Sequence, residues 1–290
     1  MFVSGFTIVR NAVRFDYPAV EAIRSILPLC DEVIVAVGNS DDTTLQLIQN
    51  IGDPKIKIIE TVWDDSLREG GRVLAAETDK AYAAISPNAD WCIYIQADEV
   101  LHEADYPAIR QTMQQWKDDR SVQGLLFNYR HFYGSYDYVG NSRRWYRNEI
   151  RIVRKADDIR SYRDAQGFRT TANQKLRVKR VNATVNHYGW VKPPEAQQAK
   201  QQSFHKMWHD DEWMKRNVPQ VDKFDYSQID SLAHFTGTHP KVMQERINKQ
   251  NWEFTFDPTK RRMSLKVSVL MFIERITGWR VGEYKNYTIS

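Results

Sequence analysis

The sequence predicts an α/β fold with a mostly parallel central sheet and helices on both faces. Two observations lead to this fold class. Apolar runs of strand length alternate with amphipathic helical segments through the first hundred residues, and each apolar run ends in polar residues. A strand followed by a helix and a further strand requires a right-handed crossover, which builds a parallel sheet covered on both sides.

Each predicted strand is an apolar run with a polar exit. GFTIVRN ends in Arg10 and Asn11, and DEVIVAV is followed by a turn at 38–42. KIKIIET shows period-two alternation and is followed by Trp63. WCIYIQ, the fourth run, leads straight into acidic residues. The four predicted strands are residues 5–11, 31–38, 55–61 and 91–96.

Three helices are predicted between these strands. In the first, Val20, Ile23, Ile26 and Leu27 recur at helical spacing, and the second ends at Gly52. The third continues to a Ser-Pro pair, where a helix normally stops. The three predicted helices are residues 17–30, 44–52 and 66–85.

Composition limits the classes of protein to consider. The 290 residues are 42% apolar and 27% charged, which is typical of a globular chain long enough for one large or two modest domains. A formal net charge of +4 suits an anionic ligand or membrane surface but is too small to argue for nucleic acid. Two separated cysteines, no signal peptide and no membrane-length apolar run predict a cytoplasmic location, with contact at the inner face of the membrane left open.

The polar exits indicate where a ligand binds. In open parallel sheets, ligands lie beyond the carboxyl ends of the strands, and here all four exits carry polar side chains. GNSDDTT is also explained by a simple turn and helix cap. Neither GxGxxG nor GxxxxGK[ST] occurs in the sequence, so an acidic, metal-using site is favoured over a glycine loop that cradles phosphates.

The stretch WCIYIQADEVL places Asp98 and Glu99 at the end of a buried strand. Carboxylates beside a diphosphate require a hard divalent cation between them, which would act as a Lewis acid for a departing nucleoside diphosphate. The alternative is a favourable helix N-terminus, because ADEVLHEADYPAIRQTM has the character of a helical segment.

The order and spacing of GFTIVRNAV, CDEVIVAVGNSDDTTLQLI and WCIYIQADEVL resemble family 2 glycosyltransferases of the GT-A fold. The resemblance covers residues 1–105 well and extends more loosely to about 190. It implies a Rossmann-like GT-A catalytic domain over 1–195, with a nucleotide-sugar half at 1–105 and an acceptor half at 106–195. Residues 196–290 would form a mainly helical C-terminal extension.

The resemblance also implies roles for individual residues. The Asp-x-Asp motif corresponds to Gln96, Ala97 and Asp98, and Asp98 with a late His187 would bind Mn²⁺ or Mg²⁺. Two departures are Gln96 in place of the first Asp, and Ala36 or Val37 where an Asp often follows the second strand. The other predicted nucleotide-sugar contacts are Thr7, Val9, Arg10 and Asn11 for base and ribose, Asp41 for the shape of the site, and Lys192 for the diphosphate.

An inverting transfer needs a general base to remove the proton of the acceptor hydroxyl. Asp164, in the turn-like RDAQG, is preferred to Glu149, which starts a strand and has arginine neighbours. Asp137 and Glu103 remain alternatives. The aromatic and arginine-rich stretch from 123 to 155 would supply the acceptor side.

The sequence therefore predicts an inverting, metal-assisted glycosyltransferase that uses a UDP- or GDP-sugar and a glycan or lipid-linked acceptor, in cell-surface polysaccharide or lipopolysaccharide synthesis. The alternatives are a sugar-phosphate nucleotidyltransferase and a catalytically degenerate nucleotide-sugar-binding protein. Residues 260–280 combine basic and apolar residues, which suits either peripheral membrane contact or a helix packed on the core. No nucleic-acid partner is expected.

Overall fold

The computed structural model describes residues 1–67, 70–217 and 221–290. Among them, eleven strands form one curled sheet, and two more form a separate hairpin. The strands are β1 Val3–Val9, β2 Glu32–Gly38, β3 Ile56–Thr61, β4 Trp91–Tyr94, β5 Glu99–Leu101, β6 Gly124–Tyr133, β7 Ser135–Gly140, β8 Asn148–Val153, β9 Ile159–Tyr162, β10 Gly167–Thr170, β11 Leu176–Trp190, β12 Leu232–His234 and β13 Tyr287–Ile289.

Helices cover the sheet and make up much of the C-terminal part. They are α1 Ala19–Ile26, α2 Thr44–Gln49, α3 Arg72–Ala83, α4 Tyr106–Gln115, α5 Pro194–Lys206, α6 Asp211–Asn217, α7 Gln244–Asn248 and α8 Leu265–Thr277. No helix within the described ranges combines the length and the apolar character that crossing a membrane requires.

The parallel part of the sheet has the strand order β3-β2-β1-β4, and β8 and β6 continue it in antiparallel fashion. Alternate residues of β2 face opposite sides, as a strand buried on both faces requires. Val33, Val35 and Val37 join the cluster that contains α1, whereas Ile34 and Ala36 join the cluster that contains α3. The Rossmann-like GT-A fold class predicted from the sequence is confirmed.

The structure departs from the predicted elements at the end of β4. The segment that begins with Asp98 and Glu99 is not a helix N-terminus, because residues 99–101 form β5, which pairs antiparallel with β11. Helix α4 begins only at Tyr106, after a short 3₁₀ turn. The partner strand is more than eighty residues away in the sequence, and its pairing outweighs the local helical character of the segment.

The third predicted helix begins later than expected. The predicted range 66–85 includes residues 68 and 69, which lie outside the described residues, and α3 starts at Arg72. Gly70 and Gly71 both have left-handed backbone conformations, with φ of 62° and 68°, which end a right-handed helix. The helix therefore begins directly after this glycine pair.

The C-terminal part contributes to the main sheet. Strand β12 pairs antiparallel with β7, and β13 pairs parallel with the start of β11. The fifteen-residue β11 also runs through His187, which the sequence had placed after a strand. Residues 196–290 thus contain four helices and two short strands at edges of the sheet, but most of the described residues in this part lie in turns and loops.

Candidate functional site

A cavity of about 510 Å³ lies at the carboxyl ends of the parallel strands. It brings together most of the residues predicted for a nucleotide-sugar site. Those that line it are Val9, Arg10, Asn11, Asp41, Gln96, Ala97, Asp98, Asp164 and His187. Aromatic side chains from several elements complete the wall, namely Tyr17, Trp63, Tyr94, Tyr146 and Trp190.

The exits of β1 and β2 are tied together by Asn11. Its backbone N–H donates to Ser40 Oγ at 3.0 Å, and its side-chain Oδ1 accepts from the N–H of Asp41 at 2.8 Å. Asn11 has a left-handed backbone, with φ of 54°, a conformation that Asn tolerates better than most residues. These contacts hold the two loops as one rigid wall of the cavity.

Arg10 and Trp63 form a second wall. The guanidinium of Arg10 donates to Asp65 at 2.7 and 3.3 Å, and its central carbon lies 5.4 Å from the Trp63 ring centroid. Gly38 packs against the indole so closely that a Cβ there would overlap it. The Trp63 indole N–H is buried with no hydrogen-bond partner among the described residues. The wall therefore offers an aromatic side chain and a cation, whereas the indole N–H is buried against Gly38.

Asp98 sits between a lysine and a histidine. Lys200 Nζ donates to Asp98 Oδ2 at 2.9 Å and to the carbonyl of Gly189 at 3.0 Å. His187 Nε2 lies 3.6 Å from the same carboxylate oxygen. Burial alone would raise the pKa of Asp98, but the Lys200 ammonium and then His187 hold it well below its usual range. Asp98 is therefore a buried, ionised carboxylate at neutral pH.

Asp98 and His187 are the residues that fit a divalent cation. A Cβ on Gly189 would come within 2.5 Å of both Asp98 Oδ2 and His187 Nε2, so only glycine fits against this pair of side chains. Carboxylate and imidazole are suitable ligands for Mn²⁺. No group of three or more His, Cys, Asp or Glu side chains converges on a metal position within the described ranges. The chain would thus supply two ligands, and a bound diphosphate would supply others.

Glu99, in contrast, is a structural residue. It is fully buried, and its carboxylate accepts two hydrogen bonds from the Arg151 guanidinium, at 2.7 and 2.5 Å. It also accepts from the hydroxyl of Tyr129 and, at 3.0 Å, from the backbone N–H of Gln96. Glu99 thus fixes the tight turn that presents Asp98 to the cavity.

Asp164 lies in a strained loop that the Gln96 side chain contacts. Its two neighbours, Arg163 and Ala165, are both left-handed, with φ of 57° and 61°. The Gln96 amide donates to the carbonyl of Ala165 at 3.3 Å and so ties this loop to the exit of β4. Burial raises the pKa of Asp164 above its ordinary value.

Three predicted site residues do not line the cavity. Thr7 is buried within β1, and its hydroxyl is within 3.4 Å of the carbonyl of Ile8. Lys192 is fully buried, donates to the carbonyl of Phe15 at 2.7 Å, and lies over Tyr17. Burial lowers its pKa well below the ordinary lysine value. Lys192 therefore supports the loop after β1 rather than reaching the cavity.

Glu149 is the third residue off the cavity. Burial raises its pKa to about 8, and Arg151 at 3.8 Å only partly offsets that effect. The two remaining candidates for the base, Asp137 and Glu103, do not line the cavity either. Of the four carboxylates considered from the sequence, Asp164 alone faces the cavity.

Lys200 could not be found from the sequence. It lies on α5, in a polar stretch of glutamines and alanines with no recognisable motif. The one available signal was the double Pro at 193 and 194, which starts this helix directly after the strand that carries His187. That connection brings the helix back across Asp98.

Comparisons with known proteins find only distant similarity. No family model and no curated protein matches the chain. TarS from S. aureus is 12% identical with a TM-score of 0.41, and the match covers 70% of this chain and 39% of TarS. Glucosyl-3-phosphoglycerate synthase from Mycobacterium tuberculosis, in complex with Mn²⁺, UDP and phosphoglyceric acid, is 20% identical with a TM-score of 0.30 over 46% of this chain and 43% of that one.

A third structure, 4-diphosphocytidyl-2C-methyl-D-erythritol synthase from Anaerococcus prevotii, is 11% identical with a TM-score of 0.36. The match covers 69% of this chain and 96% of that one. The chain thus spans well under half the length of TarS and of the mycobacterial synthase. These similarities are too weak to assign an activity.

Proposed function

We propose that this chain is a glycosyltransferase that takes its sugar from a UDP- or GDP-sugar and transfers it with inversion to a glycan or lipid-linked acceptor. The observation that carries the proposal is a single cavity at the carboxyl edge of a parallel sheet. This cavity is lined by the loop after β1, by the ionised Asp98 and by the separate carboxylate of Asp164. A donor site and a candidate base facing one space are what such a transfer requires.

The wall formed by Arg10, Asn11 and Trp63 suits the nucleoside. An indole face can stack on a base, and the Arg10 guanidinium lies beside it. The donor diphosphate would then lie toward Lys200 and Asp98. A lysine that contacts a carboxylate and a backbone carbonyl can also neutralise phosphate oxygens.

Asp98 and His187 would hold the divalent cation that this proposal includes. When bound, Mn²⁺ or Mg²⁺ would supply Lewis-acid stabilisation of the departing nucleoside diphosphate. Lys200 hydrogen-bonds the same carboxylate oxygen, so it orients Asp98 and shares its negative charge. The 3.6 Å separation of Asp98 Oδ2 and His187 Nε2, both in residues that line the cavity, supports this assignment.

Asp164 is the residue we assign as general base. It would accept the proton of the acceptor hydroxyl as that oxygen forms a bond to the anomeric carbon and the bond to the diphosphate breaks. A pKa raised by burial makes its carboxylate a better proton acceptor than an ordinary surface Asp. Tyr146 and Trp190 provide aromatic surface for the acceptor, in the half of the chain assigned to acceptor binding.

Calorimetric binding of UDP, GDP and CDP with Mn²⁺, followed by hydrolysis assays of matching nucleotide sugars, tests the proposal. We expect one nucleoside diphosphate to bind and its sugar conjugates to be hydrolysed slowly. Asp98→Asn should weaken that binding by at least about tenfold, because an ionised ligand is lost. Asp157→Asn, which alters an exposed carboxylate away from the cavity, is the matched control.

The other outcomes separate the alternatives. Release of pyrophosphate from a nucleoside triphosphate and a sugar phosphate would identify a nucleotidyltransferase. Binding without turnover of any donor would identify a degenerate binding protein, which Gln96 at the first motif position makes conceivable. Unchanged nucleotide binding in Asp98→Asn would rule out the role given to Asp98.

A further inference from the structure

Helix α8 carries a row of apolar side chains that face solvent. Leu265, Val269, Phe272 and Ile276 follow one another at intervals of four, three and four residues, so they share one face of the helix. Their exposed fractions are 87%, 57%, 64% and 67%. Trp279, just after the helix, is 66% exposed. We call these five residues the apolar row.

The opposite face of α8 forms ion pairs with the rest of the domain. Glu274 lies nine residues after Leu265, which is about two and a half turns and therefore the opposite side of the helix. Its carboxylate lies 2.7 Å from Arg143 and 3.0 Å from Arg147. An ordinary surface helix presents a polar face to solvent, whereas the outward face of α8 is apolar. No residue of α8 is buried, so it is not the packed core helix considered from the sequence.

Basic residues border the apolar row. Lys266 and Arg275 lie on its two flanks, and both are exposed. Lys260, Arg261 and Arg262 precede the helix and are exposed as well. Between residues 258 and 281 the sequence contains one acidic residue, Glu274, and it faces the domain. The outward surface is therefore apolar in the middle and positive at its edges.

We propose that the apolar row docks on a lipid bilayer with anionic headgroups, with α8 lying flat in the interface. Four large apolar side chains would enter the acyl boundary, Trp279 would sit at headgroup level, and the flanking cations would meet lipid phosphates. A second copy of the chain fits less well, because its own basic flanks would meet those of the first. At thirteen residues, α8 is too short to cross a bilayer.

Helix α8 lies beside a second cavity, so docking on a membrane would bring that cavity close to the bilayer. A second cavity of about 310 Å³ is lined by Met271 of α8 together with Arg143, Arg147 and Tyr146. Tyr146 also lines the first cavity. Resting on the proposed function, this arrangement favours a lipid-linked acceptor that reaches the site from the membrane, although lipid binding itself does not depend on that function.

Vesicle co-sedimentation of the full chain tests the docking without any nucleotide. We expect the chain to pellet with vesicles of equal parts phosphatidylglycerol and phosphatidylcholine, less so at high salt, and weakly with phosphatidylcholine alone. Phe272→Glu and Ile276→Glu should each lower the partition coefficient by about tenfold or more, since each removes a large buried apolar group from the membrane. Both positions are exposed, so thermal unfolding should not change.

Three further measurements separate membrane docking from a general effect of added charge and from self-association. Val62→Glu puts the same charge on an exposed apolar position after β3, at the far edge of the sheet, and should bind vesicles like the unaltered chain. Lys266→Glu combined with Arg275→Glu should weaken the preference for anionic vesicles, because both flanking cations become anions while Lys260, Arg261 and Arg262 remain. Absence of pelleting on anionic vesicles, or full binding by Phe272→Glu, would overturn the proposal. A dimer in sedimentation velocity that Phe272→Glu dissociates would assign the row to a second copy instead.

Discussion

At the scale of single residues, the environment of Asp98 explains how a carboxylate can remain ionised in a closed site. Desolvation is the largest single effect on the pKa of Asp98 and opposes its charge, but Lys200 at 2.9 Å and His187 together outweigh desolvation. The pair is mostly buried on both sides, so its loss is costly in a way that a surface pair is not. Lys200 therefore helps to keep the buried Asp98 carboxylate ionised.

Replacing Lys200 with Met should lower the free energy of unfolding more at neutral pH than at acidic pH. The folded-state pKa of Asp98 is depressed, so its ionised form contributes stability above the unfolded pKa of about 3.9, and that contribution is lost as the pH falls through the folded value. In Lys200→Met, burial is offset only by His187 and Lys192, so the pKa of Asp98 rises. We expect a loss of about 3 kcal/mol in the free energy of unfolding at pH 7 that shrinks below about pH 4.

Urea denaturation at both pH values measures this effect. Lys206→Met, which removes an exposed lysine from the same helix, should stay within about 0.5 kcal/mol of the unaltered chain. An equal loss at both pH values would mean that Lys200 stabilises α5 by packing and not through the charge of Asp98.

Gln96 shows why a motif departure can have a structural reason. At this position an ionised Asp could not donate a hydrogen bond, whereas the Gln amide reaches the carbonyl of Ala165. The departure therefore couples the Asp98 turn to the loop that carries Asp164. The sequence identified Gln96 as unusual, but its partner sits in a loop 69 residues away, which no local pattern reveals.

At the scale of elements, one buried ion pair joins three strands beneath the cavity. Glu99 belongs to β5, Arg151 to β8 and Tyr129 to β6, and all three are linked through the Glu99 carboxylate. Because the same carboxylate accepts the N–H of Gln96, the pair sets the position of the Asp98 turn. Burial lowers the pKa of Arg151, but Glu99, with smaller effects from Tyr129 and Glu149, raises it above its usual value.

A double-mutant cycle on Glu99 and Arg151 should show strong coupling. Glu99→Leu or Arg151→Met alone leaves one charge buried and unpaired, so each should lower the free energy of unfolding by about 3–5 kcal/mol. The double variant should lose at least about 1 kcal/mol less than the sum of the two singles. Chemical denaturation of the four proteins measures this, and additive losses would show that the two charges do not stabilise each other.

The elements also show how far sequence patterns reach. Strands β1 to β4 and the helices between them could be predicted because their apolar spacing is local and both faces of the sheet are buried. The strand β5 could not, because its three residues become a strand only by pairing with β11. The same limit explains why Lys200 was not predicted, whereas Asp98 and His187, which also line the cavity, were proposed from the family resemblance.

At the scale of the whole molecule, the C-terminal part completes the site and the core. Lys200 on α5 supplies the partner of Asp98, and Arg246 of α7 contacts Asp16 in the loop after β1. Two hydrophobic clusters mix residues from both sides of position 195. One joins Phe132 and Tyr188 to Met243, and the other joins Tyr133 and Trp145 to Leu232. The predicted division at 195 thus runs through shared clusters.

Truncation at residue 195 should therefore prevent cooperative folding. Such a chain would expose the edge of β7, leave Asp98 without its lysine, and open both mixed clusters to water. We expect aggregation or a broad thermal transition in near-ultraviolet circular dichroism.

A chain ending at residue 262 is the matched control. It keeps α5, β12 and both clusters but lacks α8 and β13, and it should unfold in one sharp transition at a lower temperature than the full chain. A sharp transition in the 195-residue chain would show instead that residues 1–195 form an autonomous domain and that the C-terminal part adds stability without being required for folding.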